Sequence, residues 1–253
     1  MRERLFFMFV ALALCAAGIA GTARGQSVVF QHFPQREDLG ILCWTIPEEG
    51  TGYVSQIAVV QAGRNGIAGL LWQSSLDNSY SPRIRFLSEI ASQGVPLALV
   101  ERQTGAASSQ LDVIGKVAGR FARLLQIDGF KFDVERLDAG EPPVLIAHTD
   151  ASILDVPDIY RWNGSRFVED SATHSDYYRQ LLAEDRNKLP VDASGAVLVN
   201  LSRIAVLSGD RTAAKTILDN ALSRERAKGD AANKETLRLI AEALRALAHG
   251  SPR

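Results

Sequence analysis

Cysteine is nearly absent from this chain: among 253 residues there are only Cys15 and Cys43. Cys15 lies inside an apolar N-terminal run, so removal of that run would leave Cys43 alone and no intramolecular disulfide could form. Burial must then hold the fold. Cys43 sits between Leu42 and Trp44, the setting of a small buried hydrophobe rather than a reactive thiol. Catalytic signatures are missing as well. There is no nucleophile elbow, Walker loop, dinucleotide fingerprint, HExxH or Cys-x-x-Cys, and His32, His148, His174 and His249 are scattered without ligand spacing. These absences weigh against an enzyme, and no catalytic residue, cofactor site or metal site is expected. An excess of one charge is also lacking. The 28 Lys and Arg face 29 Asp and Glu, a net charge of −1 that leaves no footprint for nucleic acid or anionic lipid.

The N-terminus does carry a pattern. Met1-Arg2-Glu3-Arg4 is followed by an apolar run from Leu5 to Ala20, then by small residues Gly21, Thr22, Ala23 and Gly25 before Gln26-Ser27. That order predicts a secretory signal peptide over 1–25, cleaved between Gly21 and Ser27, and hence a periplasmic or secreted protein. The alternative is an uncleaved membrane anchor, since the run to Ala23 nearly reaches the ~20 residues that span a bilayer. Leu14 before Cys15 argues against lipidation, because a lipobox carries a small residue there. Loss of Arg2, Arg4, Arg24 and Glu3 would turn −1 into −3. With 46% hydrophobic residues the remainder can bury a core as one large or two modest domains, with no integral span after cleavage.

From Tyr53 to Asp170 short apolar or β-branched runs alternate with turn residues. Runs 57–60 and 67–72 flank Arg64-Asn65-Gly66, and runs 159–162 and 166–168 flank Asn163-Gly164; Asn-Gly between such runs predicts a β-hairpin. Further strands are expected at 83–87, 97–102, 111–117, 121–126 and 130–137. Trp72, Tyr160 and Trp162 read first as cross-strand packing and second as a ligand-stacking surface.

Two stretches repeat one pattern: Pro96-Leu97-Ala98-Leu99-Val100 leading to Gly119-Arg120-Phe121, and Pro143-Val144-Leu145-Ile146-Ala147 leading to Ser165-Arg166-Phe167. A weaker copy ends at Arg85-Phe86. These units resemble the hairpins of FG-GAP and VCBS propeller-like repeats over about 53–171. Three units are too few for a complete propeller, so an open antiparallel sheet or a partial propeller-like or sandwich-like stack is expected. The resemblance implies an Asp-rich calcium loop, but the matching segment from Glu135 to Pro143 has Leu137 and Ala139 where ligands would stand, so calcium is not expected.

After Ala172 the pattern turns helical, with segments from Asp176 to Leu189, from Gly195 to Ser208-Gly209-Asp210, from Thr212 to Lys228 and from Ala232 to Ala248. The stretch from about Ala196 to Gly229 with the helix after it resembles the tetratricopeptide repeat. That resemblance implies Ser202 as the small position of the first helix, Gly209 as the inter-helix turn, and Ala214 and Ala221 as small packing positions with Leu218 between; Leu198 and Ala205 stand where the family has aromatics. The competing reading is a helical hairpin packed on the β region.

The fold class expected is therefore α+β: an antiparallel β repeat domain over 26–171, then an α-helical, tetratricopeptide-like tail over 172–253. The function expected is non-enzymatic protein–protein interaction by an exported protein, with Asn200 and Arg203 as the residues that meet the partner protein. Nothing in the sequence sets an oligomeric state. The alternative is an exported hydrolase or carbohydrate-active enzyme with two convergent carboxylates in the β domain. Asp133 and Glu135, on one strand face with Lys131, read as a solvated face, and His148 with Asp150 as an exposed strand end.

Overall fold

Among the described residues thirteen strands are followed by four α-helices, the β-then-α order that the residue patterns predict. The computed structural model describes residues 27–48, 52–64, 66–149, 154–189, 193–229 and 233–249; the segment read as a signal peptide lies outside them. The first antiparallel sheet is the meander β1 (Ser27–Phe33), β2 (Arg36–Glu48), β3 (Gly52–Gly63) and β4 (Gly66–Gln73), with the short β5 (Asp77–Asn78) also on β3. The second is β6 (Tyr80–Ser92), β7 (Val95–Gly105), β8 (Ser108–Val117) and β9 (Arg120–Gly129). The third is β10 (Lys131–Glu135), β11 (Val144–His148), β12 (Asp158–Trp162) and β13 (Phe167–Glu169). Helices α1 (Ser175–Lys188), α2 (Gly195–Leu207), α3 (Arg211–Ala227) and α4 (Lys234–Ala248) complete an α+β fold. No helix among the described residues is long and apolar enough to cross a membrane.

Packing divides the described chain into two compact units, one running to Lys131 and including Trp162–Phe167, the other comprising Phe132–Arg161 and the residues from Val168 onward. In the first unit, Leu39, Ile41 and Cys43 of β2 and Ile57 and Val59 of β3 share a core with Ile84, Val95, Ala98, Val100, Ile114 and Phe121 of the second sheet. The alternate residues Leu42, Trp44, Ala58 and Val60 form a second apolar cluster. Strands buried on both faces read as unbroken apolar runs rather than as alternation. That is why β2 lacks the hairpin rhythm. Cys43 is fully buried, and desolvation pushes its thiol up to about 12. It is expected to resist maleimide labelling in the folded protein and to react fully once denatured, which mass spectrometry of the two samples would check.

Two hairpins turn tightly on residues with positive φ, Gln93 (51°) with Gly94 (76°) and Ala118 (49°) with Gly119 (79°). The twist of two-residue β-turns favours that region, although two of these four residues are not glycine. At Asn163 the side-chain Oδ1 accepts from the backbone N–H groups of Ser165 and Arg166, both at 3.0 Å, and Gly164 takes φ 96°. The expected Asn-Gly hairpin is present there. Between β3 and β4, Gly63 pairs with Gly66; Asn65 is outside the described residues.

The two good repeat copies occupy equivalent places. Residues 97–100 lie in β7 and Phe121 in β9; residues 144–147 lie in β11 and Phe167 in β13, so each copy spans the second and fourth strands of its sheet. Arg85-Phe86 instead falls in β6, a first strand, so the weaker copy does not share that placement.

In the second unit the third sheet shares a core with the helices. Val144, Ile146 and Ile159 of the sheet, with Leu154 and Val156, pack with Tyr178, Leu182, Leu201, Ile204, Ala205 and Ala214. The Tyr178 hydroxyl donates to the Pro157 carbonyl at 2.6 Å. Each later helix starts at a capping side chain: Ser194 accepts from Val197 N–H, Asp210 from Ala213 N–H, and Asn233 from Glu235 and Thr236 N–H. Gly195 has no room for more, since a Cβ there would lie 2.0 Å from Thr236 Cγ2. Its hydrogen side chain lets the start of α2 approach α4.

Candidate functional site in the helical tail

Four residues of α2, Val199, Ser202, Arg203 and Val206, follow the i, i+3, i+4, i+7 spacing that gathers side chains on one helix face. Leu239, Glu242, Ala243 and Ala246 of α4 follow the same spacing. These two faces, with Leu247 and with Leu218 of α3, line a mostly apolar groove of about 310 Å³. Ala214 and Ala221 are fully buried beneath it, where small side chains allow close helix approach.

The two charged residues of this groove differ in one respect. Glu242 is paired with Arg238 of its own helix at 2.6 Å. Arg203 is exposed and has no hydrogen bond or salt bridge among the described residues, though its charge draws the Asp158 carboxyl down against burial and the repulsion of Glu169 and Asp155, which together hold it above the usual range. Asn200 lies one turn from Arg203, yet its amide donates to the Leu154 carbonyl at 2.9 Å and so fastens α2 to the segment before β12. Of the two expected contact residues, Arg203 reaches the groove and Asn200 holds the scaffold.

A second polar cluster joins β10, β11 and the segment before β12. His148 Nδ1 lies 2.7 Å from Asp155 Oδ2 and its Nε2 lies 3.2 Å from Asp133 Oδ2. Both ring nitrogens therefore face carboxylate oxygens. Nε2, the nitrogen that a general base would turn to a nucleophile, faces an acceptor. Around Tyr177 gather Glu135, Asp133, Asp155 and Glu184; burial first and these charges next push its phenol up to about 12. Asp133 therefore belongs to a partly buried ionic cluster rather than to a solvated face. Its cross-strand partner was not legible, because His148 is 15 residues away and Asp155 lies outside any strand. Asp150 is outside the described residues. Among the described residues no group of three His, Cys, Asp or Glu is arranged to hold a metal ion.

The hairpin aromatics pack as cross-strand residues do: Trp72 lies against the first unit's core and Trp162 against Phe167, ring centroids 5.4 Å apart. No protein-family model matches the chain, no curated protein matches it, and no solved structure matches it. The likenesses to propeller-like and tetratricopeptide repeats rest on element order and spacing alone.

Proposed function

We propose that the protein is an exported, non-enzymatic binding protein whose helical tail holds a segment of a partner protein in the groove between α2 and α4. The observation that carries this reading is Arg203, an exposed guanidinium with no hydrogen bond or salt bridge among the described residues, at a mostly apolar groove. Apolar walls reward burial of aliphatic side chains, and an unpaired arginine selects a carboxylate beside them. The segment it fits is apolar with one Asp or Glu, and export would bring it from the periplasm or cell exterior.

The test is capture from the exported fraction with the full chain, with Arg203→Ala and with Arg203→Lys. Arg203→Ala is expected to weaken binding of the captured protein by about tenfold or more without moving the melting temperature, and Arg203→Lys to restore part of it. Equal capture by parent and Arg203→Ala would overturn the reading. N-terminal sequencing of the same material should place the mature start between Gly21 and Ser27; an intact Met1 on membrane-bound protein would mean an anchor.

A further inference from the structure

A second cavity, of about 240 Å³, opens at the start of α1, lined by Leu137, Asp138, Thr173, His174, Ser175, Asp176, Tyr177 and Gln180. Its unusual member is His174. The imidazole is only 6% exposed, and neither ring nitrogen makes a hydrogen bond among the described residues: Nδ1 is 3.8 Å from Asp138 Oδ2, across the cavity wall, and Nε2 is 3.7 Å from Asp170 Oδ2. Buried polar groups are normally satisfied, so an unmade bond beside a cavity asks for a ligand group. The helix start adds donors, because the N-cap side chain makes no capping bond and the first N–H groups have no intrahelical acceptor.

The charges narrow the ligand. An anion would suit the helix start but would meet the Asp138 carboxylate. A cation would suit Asp138 but would meet the positive end of the helix, while Asp176 is already paired with Arg179 at 2.5 Å. A neutral molecule that both donates and accepts suits every wall. One hydroxyl can bridge the 3.8 Å between Asp138 and His174 Nδ1, a second can reach the Gln180 amide, and Tyr177 and Leu137 offer apolar surface to a ring. The geometry points to a binding site for a neutral polyhydroxy ligand, a sugar ring or polyol, in this cavity. It is separate from the protein-binding groove, and its fate does not depend on that reading.

The experiment follows backbone and side-chain NMR shifts of the full chain on titration with glucose, N-acetylglucosamine, myo-inositol and glycerol, and with inorganic phosphate and free arginine as charged alternatives. Saturable shifts confined to 137–138 and 173–180 are expected with at least one neutral probe. The ring and open-chain probes distinguish a sugar or cyclitol from a simple polyol. Asp138→Ala, at an exposed position that folding does not need, should weaken that binding about tenfold, and Gln180→Ala should weaken it less. The inference is overturned if no neutral probe saturates, if phosphate or arginine binds there instead, or if neither substitution weakens binding.

Discussion

Arg102→Met is expected to destabilise the first unit by about 3–5 kcal/mol, the penalty for leaving a buried charge without its partner. Arg102 on β7 is completely buried and so is Asp112 on β8, 2.5 Å away. The same guanidinium donates to Gln110 at 2.7 Å and to Asp77 at 3.1 Å, and through its other terminal nitrogen to Ser55 and Ser79 at 3.1 and 3.2 Å. Ser55 and Asp77 are paired neighbours on β3 and β5, so one side chain fastens the first sheet to the second. Arg123 is the remaining cation, 2.6 Å from Asp112, but its Nε–H is not aligned for a hydrogen bond and it replaces little of what Arg102 supplies.

Urea unfolding of Arg102→Met against the parent measures the loss, and the pH dependence gives it a signature. Burial already pushes the Asp112 carboxyl up, against the pull of Arg102 and Arg123. Without Arg102 it rises further. A carboxyl raised in the folded state binds its proton more tightly there than in the unfolded chain, so the deficit is full above the raised folded value. It shrinks as pH falls through that value toward the ordinary carboxylate range. Arg102→Met/Asp112→Leu should recover part of the loss at neutral pH, because the stranded charge goes with its partner. An unchanged denaturation midpoint in the single variant would show that the cluster does not hold the sheets.

Ala214→Leu is the second large effect, expected at about 1–3 kcal/mol of destabilisation through overpacking. Ala214 is fully buried in one core with Leu201, Ile204 and Ala205, where α3 meets α2. Lys215→Leu is the control. Lys215 is exposed and its bond to Asp219 at 2.5 Å is a surface pair, so the change should stay within about 0.5 kcal/mol. Equal midpoints for the two variants would mean that α2 and α3 do not cross closely at this residue.

The helices were the most legible part of the chain. Apolar spacing and the breaks at Pro190, Gly209 and Gly229 placed all four to within two residues, because local period and local caps carry that information. Strands β3, β4 and β6 to β13 were legible where turn residues punctuate them, and the two-residue β5 was not. β1 and β2 were not named; in β2, burial on both faces erases the alternation that marks a strand. Arg203 was legible as a residue of interest but its groove was not. The opposite wall comes from α4, more than 30 residues on, and only the fold shows that Glu242 is salt-bridged while Arg203 makes no salt bridge among the described residues. Long-range polar pairs were invisible for the same reason. Arg102 with Asp77 and His148 with Asp155 depend on register between segments, which composition does not encode.

The third sheet gives its apolar side chains to the helices. Val144, Ile146 and Ile159 are closed off by α1, α2 and α3, so the change from β to α character near Ser171 is a boundary of composition and not of cooperativity. A chain cut there would separate two halves of one core, whereas the break in packing falls inside β10, between Lys131 and Phe132. The unit that shares this core is accordingly most of the third meander together with the tail, without Trp162–Phe167. Gene fusions or natural rearrangements that preserve a working product should carry those two pieces as a single cassette, whatever becomes of the strands before it.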